Sequence, residues 1–303
     1  MKIFISGING YIGSFLANHL ISKGYEVDGV ARNKNNLEGL NKKIKVYIKD
    51  ILDIDTLLIK KKYNLFIHLA AANDIDSKND KDAILVTTLG TKKVLQFCEK
   101  NSIDKLIYFS TFQVFGKDSG KINNLSDLNC KNDYAITHLF AEEYITNYAK
   151  NKQLDFVIVR PTNVYGATVS KNIKRDTLVP TCFCKDLLKD SKITLLSSGK
   201  QYRNFISLKE ISKYIKIIIE DFEKYNGQNL ILASDINLTI KEVAKITKKV
   251  YKDISKKDCI IEVLSKEPNL CNTFVIDTYP LPKLSFSKDN IKKEINKIFK
   301  LMS

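Results

Sequence analysis

Histidine is scarce in this chain, with three among 303 residues, and the six cysteines show no Cys-x-x-Cys spacing. That shortage argues against a metal site. Cys182 and Cys184 stand one residue apart, but His19, His68 and His138 are all distant from them in sequence, so buried thiols are expected and no metal. A chain of this length needs no disulfide staples. Cys98, Cys130, Cys182, Cys184, Cys259 and Cys271 therefore read as reduced, and the expected setting is cytoplasmic. No apolar run approaches the roughly 20 residues that cross a bilayer, so membrane insertion is not expected. The opening run Lys2-Ile3-Phe4-Ile5-Ser6 lacks the basic-then-apolar order of a leader. Internal repeats and low-complexity linkers are missing too, which excludes repeat architectures.

Acidic residues are outnumbered: 49 Lys and Arg against 34 Asp and Glu give a net charge of +15. Nucleic-acid binding would need those cations clustered, because affinity comes from counterions released along a phosphate backbone. Here they are scattered. The densest runs, Lys60-Lys61-Lys62 and Lys248-Lys249, read as solvated ends of amphipathic stretches. No nucleic-acid partner is expected, and the basic surface favours small anionic substrates.

What is present is alternation. Apolar strand-like runs at Ile3 to Ser6, Glu26 to Ala31, Ile44 to Ile48, Leu65 to Leu69, Lys105 to Ser110 and Phe156 to Arg160 alternate with helical patterns at Tyr11 to Lys23, Ala83 to Lys100 and Asp133 to Asn151. This order predicts an α/β fold, a Rossmann-type doubly wound parallel sheet. After Pro161 the regularity weakens, and helical patterns at Leu178 to Lys189, Lys209 to Glu223 and Ile240 to Tyr251 predict a smaller, mixed α/β carboxyl-terminal part that binds substrate. The expected division is 1–163 for the dinucleotide-binding domain, with 204–222 returning to it, and 164–303 mainly for the substrate region.

Gly7, Gly10 and Gly13 fall between the first strand and the first helix. There the missing side chains permit a tight turn and bring a pyrophosphate close to the helix amino terminus. The turn Gly7-Ile8-Asn9-Gly10-Tyr11-Ile12-Gly13 is therefore the expected seat of a dinucleotide, with Asn9, Tyr11 and Ile12 lining it.

With this spacing, Gly-x-x-Gly-x-x-Gly, the sequence resembles the extended short-chain dehydrogenase/reductases, the nucleotide-sugar epimerases, dehydratases and reductases. The resemblance spans most of the chain. Phe66-Ile67-His68-Leu69-Ala70-Ala71 resembles the family's strand end beside the cofactor, and Lys49-Asp50-Ile51 its adenine-contacting segment. Phe109-Ser110-Thr111-Phe112-Gln113-Val114-Phe115-Gly116 resembles the segment carrying the active-site hydroxyl. Arg160-Pro161-Thr162-Asn163-Val164-Tyr165-Gly166 and Arg203-Asn204-Phe205-Ile206 resemble two later signatures.

The resemblance implies cofactor contacts from Asp50, Ile51, Leu69, Ala70, Ala71, Thr87, Tyr134, His138 and Pro161. It also implies a catalytic pair, Thr111 holding a sugar oxygen and Tyr134 exchanging its proton. A free phenol has a pKa of about 10, so this work at neutral pH needs positive charge nearby. The family supplies a Lys one helical turn later. This chain has His138, on the same helix face but with a smaller reach and less charge, and is expected to use it as a protonated or ribose-bonding substitute. Thr87 replaces a second family residue, Asn. The substrate contacts implied are Thr111, Gln113, Asn163 and Arg203, with Arg203 on the substrate pyrophosphate.

At the end of the second strand an acid would select NAD and an Arg NADP. Ala31 stands where the acid is expected and Arg32 follows, so NADP is the expected cofactor, with NAD the alternative. Dehydratases of the family follow the active-site Thr with Asp-Glu; this chain has Phe112-Gln113, which argues against dehydration. The leading expectation is NADPH-dependent reduction of a keto-sugar nucleotide. One alternative is a C4 epimerase with bound NAD, and another is a cofactor-binding protein impaired in catalysis by His138 and Thr87. The family's four-helix dimer would use the helices at Ala83 to Lys100 and Asp133 to Asn151, so a homodimer is expected.

Overall fold

The computed structural model describes every residue except 74–76, 78, 80, 82, 174, 266–273, 285–288 and 303, so Cys271 lies outside the described residues. The strands are β1 (Lys2–Ser6), β2 (Glu26–Ala31), β3 (Val46–Ile48), β4 (Leu65–His68), β5 (Lys105–Phe109), β6 (Gly120–Ile122), β7 (Asp155–Pro161), β8 (Asn163–Tyr165), β9 (Lys192–Leu195), β10 (Tyr202–Ser207), β11 (Gln228–Leu232), β12 (Asn237–Thr239), β13 (Ile260–Val263) and β14 (Phe274–Ile276). The longer helices are α1 (Tyr11–Ser22), α2 (Gly90–Lys100), α3 (Asp133–Asn151), α4 (Val179–Asp190), α5 (Leu208–Glu220), α6 (Ile240–Ser255) and α7 (Asp289–Met302).

Seven strands form one sheet in the order β3-β2-β1-β4-β5-β7-β11, every pair parallel. The strand alternation explains why both faces are covered. In β1, Ile3 and Ile5 pack into the core with Leu16 and Leu20 of α1, while Phe4 points into the other core with Phe66 and Phe97. α5 joins α1 on the first face; its start is fixed by a capping box between Ser207 and Glu210. α2 and α3 cover the second face. The chain order reverses between β1 and β4, which opens a crevice at the carboxyl ends of these strands.

The smaller sheets β12-β10-β8 and β13-β9 pack with α4, α6 and α7 around a separate core that includes Phe183, Leu187, Val243 and Ile295, while β14-β6 places Phe274 and Ile122 in another core with Val114 and Phe115. Among the described residues, no helix is long and apolar enough to cross a membrane, and no cluster of three or more His, Cys, Asp or Glu stands ready for a metal ion.

Several elements differ from expectation. The helix expected over Ala83 to Lys100 begins as a π-helical segment, Ala83–Leu89, and becomes α-helical at Gly90. The pattern over Lys209 to Glu223 breaks at Asp221, leaving a separate turn, Phe222–Tyr225. The edge strand β11 has no counterpart in the expected set. Lys60-Lys61-Lys62 lies in the loop before β4, where Lys61 pairs with Asp28 at 2.8 Å and Glu26 at 3.3 Å; Lys248 and Lys249 sit inside α6, not at its end.

Candidate active site

A cleft of about 660 Å³ opens at the crevice. One end is the glycine turn. Gly7 has φ +68°, and a Cβ on Gly13 would meet the Gly7 carbonyl oxygen at 2.2 Å, so only glycine fits that position. The amide of Gly10 closes the turn on the Gly7 carbonyl at 2.9 Å. α1 has no side-chain cap and no acidic residue in its first turn, which leaves its opening amides for an anion. This is the donor set a dinucleotide pyrophosphate requires.

The loop after β2 is tied to the turn: Asn9 Nδ2 donates to the Asn35 carbonyl at 2.9 Å. Arg32 on that loop is exposed, lines the cleft and makes no ion pair among the described residues. Asp28, the acid earlier in β2, is buried and does not line the cleft. It accepts from Tyr63 at 2.7 Å and Lys61 at 2.8 Å, and those donors hold its carboxyl below the usual range despite burial. Asp28 is therefore a structural residue.

The other end of the cleft gathers the residues expected to be catalytic. Thr111 is buried and its Oγ1 accepts from the Gln113 amide at 3.2 Å, capping a short turn and leaving its hydroxyl hydrogen to donate. Tyr134 lies in the first turn of the 19-residue α3, near the positive end of the helix dipole. Gln113 is oriented by the same helix: Asn132 caps α3 with Oδ1, so its Nδ2 donates to Gln113 Oε1 at 2.9 Å.

His138 packs edge-on against Tyr134, with ring centroids 4.7 Å apart. It is 3% exposed, and burial lowers its pKa from 6.5 to about 3. Burial therefore disfavours the protonated substitute at neutral pH. The ring stays neutral, bonded through Nδ1 to the Tyr108 hydroxyl at 2.7 Å, while its buried Nε2 has no partner in the protein. An orphaned nitrogen on a cleft-lining residue fits a ligand with hydroxyl groups.

Of the expected cofactor residues, Gly7, Asn9, Gly10, Tyr11, Ile12 and Gly13 line the cleft, as do Arg32, Leu69, Ala71, Tyr134, His138 and Pro161. Thr111, Gln113 and Asn163 line it from the substrate side. Five residues stand off it. Asp50 caps the turn Ile51–Thr56, Ile51 is in the core, and Ala70 gives its amide to Ser6 Oγ at 3.3 Å. Thr87 is buried and accepts from the Ala72 amide at 3.1 Å. Arg203 turns to Asp118 at 3.8 Å and to the Tyr202 carbonyl, so a pyrophosphate grip by Arg203 has no support in this geometry.

Two arginines outside the expected site residues stand out. Arg175 lines the cleft and stands over the Tyr11 ring, 5.9 Å from its centroid, which places a cation beside the glycine turn. Arg160 is 2% exposed and forks onto Glu142 of α3, Nε to Oε1 at 3.0 Å and Nη2 to Oε2 at 2.5 Å; Ser110 also donates to Glu142. This pair locks the helix bearing Tyr134 to the strand ends bearing Thr111. Glu142 follows Tyr134 and His138 on one face of α3, but nothing in that spacing points to Arg160.

The doubly wound sheet, the glycine turn at its crevice and the Thr and Tyr opposite define a dinucleotide-binding protein of the Rossmann type. More specifically, the chain belongs to the NAD dependent epimerase/dehydratase family, whose model matches residues 3–233. It is 30% identical over 271 residues to a dTDP-D-glucose 4,6-dehydratase of Dictyostelium discoideum, an alignment covering 80% of this chain and 61% of that protein. It is 27% identical to a UDP-N-acetyl-alpha-D-glucosaminuronate decarboxylase of Bacillus cytotoxicus, covering 80% of this chain and 78% of that one. In fold it is similar to the UDP-glucuronic acid 4-epimerase of Bacillus cereus, solved with UDP-glucuronic acid and NAD, with TM-score 0.82, 23% identity, and 99% and 100% of the two chains covered.

Proposed function

We propose that this chain is a nucleotide-sugar 4-epimerase that works with NAD held in the cleft. The observation that carries the reading is one cleft joining the glycine turn to Thr111 and Tyr134, with Phe112 and Gln113 where an acid-base pair for dehydration would stand. The names of its relatives, a 4,6-dehydratase and a 4-epimerase, support chemistry at the sugar's fourth carbon.

When bound, the nicotinamide supplies a hydride acceptor and donor. Thr111 donates its hydroxyl hydrogen to the sugar oxygen and holds it in place. Tyr134 takes the proton from that hydroxyl and returns it on the opposite course. The positive end of α3 assists Tyr134 by under about 1 kcal/mol, less than an ammonium would. Neutral His138 adds no charge, so turnover is expected to be slower than a Lys would allow and to rise toward alkaline pH.

This reading displaces the NADPH-dependent ketoreductase expectation, for which the family and its relatives offer no support. One observation still favours that second reading: exposed Arg32 after Ala31 suits a 2′-phosphate. The experiment is to denature the purified protein, identify any released dinucleotide, and incubate the native protein under NMR with UDP- and dTDP-hexoses and, with NADPH added, with their keto-hexose counterparts. Interconversion of isomers without net nicotinamide consumption supports the epimerase. Net NADPH consumption supports the reductase, and neither reaction rejects both.

Self-association through α3 belongs to the same proposal. Ile136, Phe140 and Tyr144 recur every fourth residue and are 38%, 55% and 44% exposed, an apolar stripe suited to a second copy of the helix.

A further inference from the structure

The two buried histidines near the cleft are wired differently. His68 is fully engaged: Nδ1 meets Ser6 Oγ at 2.7 Å and Nε2 meets Thr91 Oγ1 at 3.1 Å. Thr91 gives its own hydrogen to the Thr87 carbonyl at 2.6 Å, so His68 Nε2 must donate and Ser6 must donate to Nδ1. Ser6 Oγ in turn accepts from the Leu69 and Ala70 amides. Nothing in that chain is left for a ligand.

His138 has one nitrogen engaged and one not. Its Nδ1 meets the Tyr108 hydroxyl at 2.7 Å, and Nε2, on the opposite edge of the ring, is buried without a partner in a residue that lines the cleft. Between a phenol and a neutral imidazole the phenol is the stronger acid and the imidazole nitrogen the stronger base, so the hydrogen lies on Tyr108 and points at Nδ1. Burial pushes the Tyr108 phenol up and the His138 imidazole down, which favours the neutral form of both; Thr91 also lies within reach of the Tyr108 hydroxyl, but gives its own hydrogen to the Thr87 carbonyl.

We propose that Tyr108 is a positioning residue that fixes His138 as the Nε2–H tautomer, so that a neutral ring presents a donor to a hydroxyl oxygen of the molecule in the cleft. The ligand half rests on the cleft reading given above; the tautomer is a property of the ligand-free chain. The oxygen can belong to the dinucleotide or to the sugar, and the two sources separate by experiment.

The test begins with two-bond proton–nitrogen correlation spectra of the isotope-labelled, ligand-free protein. Three histidines make assignment by single substitution direct. The native His138 is expected as one tautomer with hydrogen on Nε2, and Tyr108→Phe as a mixture with a measurable share of Nδ1–H. Hydrogen on Nδ1 in the native protein, or the same single tautomer in both, overturns the role of Tyr108. For the ligand half, His138→Leu is expected to weaken dinucleotide affinity roughly two- to tenfold, with partial recovery in His138→Gln, whose amide can donate. A raised KM for the nucleotide sugar at unchanged dinucleotide affinity assigns the oxygen to the sugar instead. If neither moves, Nε2 serves no ligand. If the native chain binds no dinucleotide, the cleft reading fails with the ligand half, and the spectra alone decide Tyr108.

Discussion

Acid should unfold this protein through its buried histidines, and the size of the effect follows from their surroundings. Burial is the main cause that lowers the pKa of His68 and His138 from 6.5 to about 3. In the unfolded chain each ring takes a proton near about 6.5. Between those values the unfolded state binds protons that the folded state refuses. Stability is therefore intact above pH 6.5 and falls as the pH is lowered, until the folded rings also protonate near 3. Moving from pH 7.5 to 5.0 costs about 2 kcal/mol for each ring, about 4 kcal/mol for both, from a typical total of about 5–15 kcal/mol. Glu210 opposes the trend, because its burial raises its carboxyl pKa and favours the folded state in acid. A difference between variants removes that contribution. Urea unfolding of the native protein and His138→Gln at both pH values should show the native protein losing about 2 kcal/mol more. Equal losses would refute a neutral imidazole buried in the folded state.

Other perturbations read the site directly. Tyr134→Phe should lower turnover by about 10²–10⁴-fold while calorimetry shows dinucleotide binding retained; unchanged turnover would remove Tyr134 from the chemistry. Glu142→Gln strands the Arg160 guanidinium in the interior and should cost about 3–5 kcal/mol in urea unfolding, whereas a loss below about 1 kcal/mol would mean the pair is not closed in solution. Phe140→Glu places a charge on the exposed α3 stripe; sedimentation should show a smaller species than the native protein, and identical profiles would locate any self-association elsewhere.

The first half of the fold was legible because its signals are local. Strand alternation and helix periodicity set β2 at Glu26–Ala31 and α3 at Asp133–Asn151 without reference to the rest of the chain. The glycine turn was legible for the same reason. What escaped depends on contacts distant in sequence. β11 reads as a short apolar run and becomes a sheet edge only by pairing with β7, some 70 residues earlier. Asp50 and Thr87 match family positions, yet local hydrogen bonds turn them to capping and to the Ala72 amide. The Arg160–Glu142 pair and the Tyr108–His138 bond each join two elements, and neither partner announces the other in sequence.

The bond from Asn9 to the carbonyl of Asn35 has a practical consequence for engineering. It stitches the glycine turn, the proposed phosphate seat, to the loop after β2 that carries Arg32, the proposed reader of the adenosine ribose. A transplanted loop meant to change coenzyme preference would cut that stitch. Selectivity and grip would then shift together, and redesign has to preserve the Asn35 carbonyl while changing what lies around Arg32.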